Sequence, residues 1–205
     1  MSGDDDVTVE RAKRGDREAF AALVRKHQRR VYSTAFHITG NHGDADDVAQ
    51  EAFIRAYRGL ARFDGRSEFF TWLYRIVVNV ALNAVRASKR TASEPLEIGG
   101  HTERTRPSPG ADPARSAESR AEARRVLEAL TQLTPTLRVT LVLAAVEEMP
   151  YREIATVMEC PEGTVAWRVN QARKLLRQKL ADVSSAEEID TDELLRRAKH
   201  AATAP

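Results

Sequence analysis

Cysteine is almost missing from this chain: Cys160 is the single one in 205 residues. That excludes an internal disulfide and zinc sites built on paired cysteines. Aromatic residues make up 6% of the chain, and no apolar run approaches the ~20 residues that cross a bilayer. The most apolar segment, Leu137 to Val146, is about half that length and carries Arg138. No membrane insertion is therefore expected. The N-terminus, Met1-Ser2-Gly3-Asp4-Asp5-Asp6, has neither the basic nor the apolar region of a secretory signal, so a cytoplasmic setting is expected. An excess of one charge is lacking too, since 32 basic against 30 acidic residues leave +2. Any affinity for nucleic acid must come from local clustering. Signatures of catalysis are missing as well. No nucleophile–base pair, phosphate loop or HExxH motif occurs, and His27, His37 and His42 form no ligand pattern, so no enzyme, metal or cofactor is expected.

What the chain has is helical periodicity. Val7 to Arg14 reads as a short helix closed by Gly15, and Asp16 as the cap of a longer one carrying Phe20, Leu23, Val24, His27, Val31 and Ala35. Thr39-Gly40-Asn41-His42-Gly43 ends it. Asp44, Asp46 and Asp47 open the next, where acids suit capping and the positive end of the helix dipole. Val48, Ala49, Ala52, Phe53, Ala56, Tyr57 and Leu60 should face inward, leaving Asp47, Gln50, Glu51, Arg55 and Arg58 outside. Such a face is either simply solvated or docks a partner.

The stretch Phe63 to Arg86 is the most telling in the first half. Asp64-Gly65 reads as a turn and Ser67 as an N-cap. In the helix that follows, Leu73, Ile76, Val77, Val80 and Ala84 share one side, while Thr71, Arg75, Asn79, Asn83 and Arg86 step around the other. That polar stripe contains no carboxylate. With Trp72 and Tyr74 beside it, it suits phosphate, base edges and an unpaired base, although a core helix with a solvated face shows the same pattern.

From Thr91 to about Ala117 the periodicity stops. Four of the eight prolines fall between 95 and 113, among Gly, Ser, Thr, Arg and Glu. So little apolar surface cannot offset the entropy of ordering, so a flexible linker between two domains is expected. Helical patterning resumes at Ala121 to Leu133, then Leu137 to Val146, and Pro150 can open a further helix. Tyr151 to Met158, a tight turn at Glu159-Cys160-Pro161-Glu162-Gly163, and a final helix with Val165, Val169, Ala172, Leu176 and Leu180 inside form a helix-turn-helix pattern. A plain helical hairpin shares that spacing. The outer side, with Ala166, Trp167, Asn170, Arg173, Lys174 and Arg177, gathers the basic charge that the total lacks. Cys160 is expected at the N-cap of this helix.

With both halves read, the chain resembles bacterial sigma factors of the extracytoplasmic-function (ECF) group. Asp44-Ala45-Asp46-Asp47-Val48-Ala49-Gln50-Glu51-Ala52-Phe53-Ile54-Arg55-Ala56-Tyr57-Arg58 is similar to that group's polymerase-binding helix. Phe63-Asp64-Gly65-Arg66-Ser67 through Thr71-Trp72-Leu73-Tyr74-Arg75-Ile76 to Asn79 resembles its minus-ten reading and melting segment. Tyr151-Arg152-Glu153-Ile154-Ala155 and Pro161-Glu162-Gly163-Thr164-Val165 resemble its minus-thirty-five helix-turn-helix.

The resemblance implies an all-α chain of two small helical domains. Sigma domain two would occupy residues 1–90, a linker 91–117, sigma domain four 118–181 and a tail 182–205. It implies as partners core RNA polymerase, promoter DNA (single-stranded at minus-ten, duplex at minus-thirty-five) and an anti-sigma factor. Asp47, Gln50, Glu51 and Arg55 would contact core. Arg62, Phe63, Arg66, Ser67, Thr71, Trp72, Arg75, Asn79, Asn83 and Arg86 would serve minus-ten, with Asn79 and the Arg62 to Thr71 loop holding a flipped base and Trp72 and Tyr74 packing behind it. Gly163, Thr164, Ala166, Trp167, Arg168, Asn170, Gln171, Arg173 and Lys174 would serve minus-thirty-five. Where the group often reads Gly-Thr-Val, any residue, Ser-Arg-Leu, this chain has Gly163-Thr164-Val165-Ala166-Trp167-Arg168-Val169, and Gln171-Ala172-Arg173 replaces Arg-Ala-Arg. The other reading of the same helices is a one-component regulator, with a ligand-sensing N-terminal half and a helix-turn-helix that binds an operator.

Overall fold

Two helices of the first half begin where the sequence supplies a side-chain cap. The computed structural model describes residues 3–91 and 113–181. Residues 92–112, most of the expected linker, and the tail beyond 181 lie outside the described residues. Helix α1 (Gly3–Lys13) leads to α2 (Arg17–Thr39), whose N-cap Asp16 accepts the Ala19 N–H at 3.0 Å. That bond, with Arg11 beside it, holds the Asp16 carboxyl below its usual range. Gly40 closes α2 in the left-handed region, at a φ of 88° that glycine adopts without strain. In α3 (His42–Gly59) the cap is Asn41 rather than an aspartate: it accepts the Asp44 N–H and donates to the Asp44 carboxylate, both at 2.8 Å. A 3-10 turn, Leu60–Arg62, precedes α4 (Phe69–Thr91).

The first bond of α4 runs from the Trp72 N–H to the Glu68 carbonyl. The N-cap place is thus held by Glu68, one residue beyond the expected Ser67. Leu23, Val31 and Ile38 of α2, Val48, Ala52 and Ala56 of α3, and Leu73, Val77 and Ala81 of α4 close the first core. Tyr57, expected inside, is 48% exposed, because its ring lies edge-on against Phe20 at the surface. The histidines pack: His27 lies against Phe69 and Phe70, His37 Nδ1 bonds the Ser33 carbonyl, and His42 stacks on Phe36.

The second half contains α5 (Pro113–Thr131), α6 (Pro135–Leu141) continuing as a π-type turn over Val142–Val146, α7 (Tyr151–Met158) and α8 (Glu162–Ala181). Helix α5 starts inside the segment read as linker, at a proline whose missing N–H costs nothing in a first turn. Val165, Val169, Ala172, Leu176 and Leu180 of α8 are buried as the spacing indicates, against Ile154, Val157 and the apolar α6. Cys160 is not the N-cap of α8. The Pro161 carbonyl takes the first helical N–H groups, from Thr164 and Val165, while the Cys160 sulfur accepts from Arg168 Nη1 at 3.4 Å.

The all-α architecture expected from the sequence holds throughout the described residues, which contain no strand. The two groups of helices also pack against each other, and their buried apolar residues form one cluster. This explains why α4 is buried on more sides than its stripe suggested, with Val78 and Val85 inside, since α6 and α7 cover it where α2 and α3 do not. Arg138 crosses the seam. It is 2% exposed, and its guanidinium donates to the carbonyls of Ile38 at the end of α2, Thr131 at the end of α5, and Leu133. One cation therefore serves the negative ends of two helices, one from each half.

Candidate nucleic-acid interface

The sequence places the reading residues on α4 and the loop before it, and the structure separates them into two sets. Arg75, Asn79, Asn83 and Arg86 are exposed along one edge of α4, where Arg86 Nη1 lies 3.5 Å from Asn83 Oδ1. Arg62 and Arg66 are exposed in the loop, and Ser67 is half-buried. Asp64 folds that loop by accepting the Arg66 N–H at 3.1 Å and pairing its guanidinium, with Gly65 at a φ of 71°. Phe63, Thr71 and Tyr74, by contrast, are buried, and Trp72 is half-buried. The rings of Phe63, Phe69 and Trp72 pack with centroids 5.1 to 6.2 Å apart. These aromatics support the loop from behind, and Tyr74 has no face left for a base.

The other acids at this edge come from the second half. Glu159 pairs with Arg75, and Glu153 Oε2 accepts from the Thr71 hydroxyl at 3.4 Å. Nothing in the period of α4 marks these contacts.

On α8, Trp167 is 62% exposed, and Asn170, Lys174 and Arg177 are exposed beside it, with Gly163 at the start of the helix. Thr164, Ala166, Gln171 and Arg173 are half-buried on the flank, and Arg168 is held to Cys160. Short α7, a tight turn and longer α8 thus present polar, basic and aromatic groups outward, the arrangement by which a second helix enters a major groove.

A third surface lies on α3. Asp47, Gln50 and Arg55 are exposed, Glu51 is half-buried, and Arg55 Nε bonds Glu51 Oε1 at 2.7 Å. Beside them a cleft of about 460 Å³ opens between α2 and α3, lined by Val24, Tyr32, Ala49 and Phe53, with Arg29 and Gln50 among its polar residues. Among the described residues no helix is long and apolar enough to cross a membrane.

Comparison with known proteins decides between the readings. Residues 23–91 match the family model for sigma-70 region 2, and residues 123–176 that for sigma-70 region 4. The chain is 40% identical over 189 residues to the RNA polymerase sigma-H factor of Pseudomonas aeruginosa, covering 86% of this chain and 93% of the relative. It is 37% identical over 185 residues to the ECF RNA polymerase sigma-E factor of Escherichia coli K12, covering 86% and 94%. The chain belongs to the ECF sigma factor family.

Solved structures agree with that placement. CnrH, solved in complex with the cytosolic domain of CnrY, superposes with a TM-score of 0.67 at 27% identity, over 88% of this chain and 99% of CnrH. The sigma factor RpoE of Bartonella quintana, co-crystallised with the anti-sigma factor NepR, shares the fold at a TM-score of 0.62 and 20% identity, over 80% and 98%. As an ECF sigma factor the chain binds core RNA polymerase and directs promoter recognition and transcription initiation. The region 2 match falls on the N-terminal helices, so a ligand-sensing regulator is not favoured.

Proposed function

We propose that the three surfaces divide the work of promoter opening between them, with no covalent chemistry. In this reading sigma domain two ends near residue 90 and sigma domain four occupies about 118–181. Asp47, Gln50, Glu51 and Arg55 contact core polymerase from α3. Asn79, with the Arg62 to Thr71 loop, holds a base of the opened minus-ten strand, while Arg75, Asn83 and Arg86 hold its backbone. Gly163, Thr164, Ala166, Trp167, Asn170, Gln171, Arg173 and Lys174 meet the minus-thirty-five duplex, and Arg168 steadies the turn through Cys160. The carrying observation is the edge from Arg75 to Arg86, exposed, polar and without a carboxylate of its own. Phe63 and half-buried Trp72 support that edge from behind, and Thr71 lies under α7 with its hydroxyl on Glu153. The work takes place in the cytoplasm, where the polymerase is. An anti-sigma protein as regulating partner is supported by the likeness to CnrH, which was solved with a protein domain bound.

Purified chain added to core polymerase is expected to yield run-off transcripts from a cognate promoter, and failure to bind core at all would sink the reading. Asn79→Ala is expected to reduce opening, measured by permanganate footprinting of unpaired thymines, with core affinity retained. Equal loss of both would point to misfolding.

A further inference from the structure

The second half leaves one large apolar side chain mostly uncovered. Of the exposed large hydrophobics among the described residues, Val7, Ile54 and Tyr57 lie on α1 and α3, and Trp167 alone lies on α8, at 62% exposure. An indole carries a large apolar surface, and leaving it in water is costly until a partner covers it. Helical side chains lean towards the preceding turn, and the residue one turn back is Gly163. A β-carbon built on Gly163 would meet nothing within 4 Å, so the indole stands clear of that turn and the space beside it is open.

The surroundings select a nucleic acid as that cover. Helix α8 has one carboxylate, Glu162 at its first position, and Asn170, Lys174 and Arg177 are exposed beside Trp167. In a major groove guanine is read by Arg or Lys, adenine by the forked amide of Asn or Gln, and thymine by apolar contact with its methyl group. The guanidinium nearest the start of α8, that of Arg168, is half-buried and donates to Cys160 Sγ at 3.4 Å. Arg173 is half-buried on the flank, and Lys174 follows Trp167 by two turns. Beyond Glu162 and Gly163, the exposed residues of the first turns are Trp167 and Asn170. Three residues apart, their β-carbons lie ~5–6 Å from each other on one face. Base pairs stack ~3.4 Å apart, so the two side chains address one pair or two neighbours.

We propose that Trp167 and Asn170 make this chain a reader of an A·T step in the minus-thirty-five duplex: Trp167 packs on a thymine methyl, and Asn170 donates to N7 and accepts from N6 of adenine. The proposal deepens the minus-thirty-five assignment given above and rests on it. Arg168, held by Cys160, then orients the turn and reads no guanine, while Lys174 adds phosphate affinity without choosing a sequence.

Base analogues test it on holoenzyme reconstituted from the full chain and core polymerase. Duplexes are first selected from a pool randomised across both promoter elements, and the selected minus-thirty-five element should carry an A·T step at a fixed place. In the best duplex each thymine of that step is replaced by deoxyuridine, which removes only the methyl group, and each adenine by 7-deazaadenine, which removes only the N7 acceptor. At fixed salt one deoxyuridine should weaken the native holoenzyme about fourfold, the worth of one buried methyl. One 7-deazaadenine should weaken it about fivefold or more. Trp167→Ser should bind the thymine and deoxyuridine duplexes alike while still rejecting 7-deazaadenine, Asn170→Ala should do the reverse, and Trp167→Phe should keep the methyl preference. A selected element without an A·T step, a native holoenzyme indifferent to the methyl, or a Trp167→Ser variant that keeps the preference overturns the proposal. So does a Trp167→Ser variant that loses core affinity with its methyl preference intact, since Trp167 would then anchor a protein. A native holoenzyme that selects no sequence at all would instead overturn the sigma reading.

Discussion

Replacing Arg138 with methionine removes one guanidinium and leaves three carbonyls without their donor: those of Ile38, Thr131 and Leu133. Methionine follows much of the arginine stem, so the change isolates the charged fork. An unpaired buried acceptor costs ~1–3 kcal/mol, and the loss is partly offset because a desolvated charge no longer has to be held. That burial is evident in the guanidinium itself, which desolvation lowers to a pKa of about 10. Taking the offset at roughly half the gross loss, the variant should be ~2–4 kcal/mol less stable, read from the midpoint of guanidinium chloride unfolding of the full chain at pH 7. Lysine should recover only part, since one ammonium cannot fork to two helix ends. The pH dependence has a definite sign. A folded pKa below the ordinary arginine value means the folded state binds the proton less tightly, so stability rises with pH only above about 10 and is flat below it on this account. A midpoint unchanged or raised by Arg138→Met would refute the reasoning, because the cost of burying the charge would then exceed what its hydrogen bonds return.

Gly40→Ala should lower the melting midpoint sharply. The left-handed φ costs ~1–2 kcal/mol for an L side chain, and the new methyl would stand 2.5 Å from Cγ2 of Thr131. Adding Thr131→Ala should return only the steric part. Glu148 occupies the left-handed region at a φ of 53°. Glu148→Gly is expected to be neutral to stabilising by up to ~1 kcal/mol, since relief of strain outweighs the greater freedom of the unfolded chain; marked destabilisation in a thermal melt would contradict this. Lys174→Ala should weaken binding to the minus-thirty-five duplex and reduce the slope of log affinity against log salt by about 1. An unchanged slope removes its phosphate contact.

The helices and the inner face of α8 could be read from spacing, because Val165, Val169, Ala172, Leu176 and Leu180 meet their neighbours within the same half. What escaped the sequence depends on contacts between the halves. Thr71 falls on the polar stripe by period, yet it is 4% exposed because α7 covers it. Glu147 stands beside Glu148 in the sequence, and nothing local distinguishes the fully buried one from the exposed one. Arg138 did carry a signal. An arginine inside an apolar run either ends the run or finds several acceptors at once, and the second holds. Ser67 and Cys160 missed their cap positions by one residue, the usual uncertainty when several short polar residues adjoin a helix start.

The two tryptophans have a practical consequence. Trp72 is packed among Phe63 and Phe69 in the first half, whereas Trp167 stands 62% exposed on α8 in the second. Each half thus carries its own intrinsic fluorophore in a distinct environment. A soluble quencher such as acrylamide will extinguish the emission of Trp167 well before that of Trp72, and a duplex shielding α8 will protect it. A phenylalanine at either position turns the native chain into a single-emitter reporter of one half, with no dye attached.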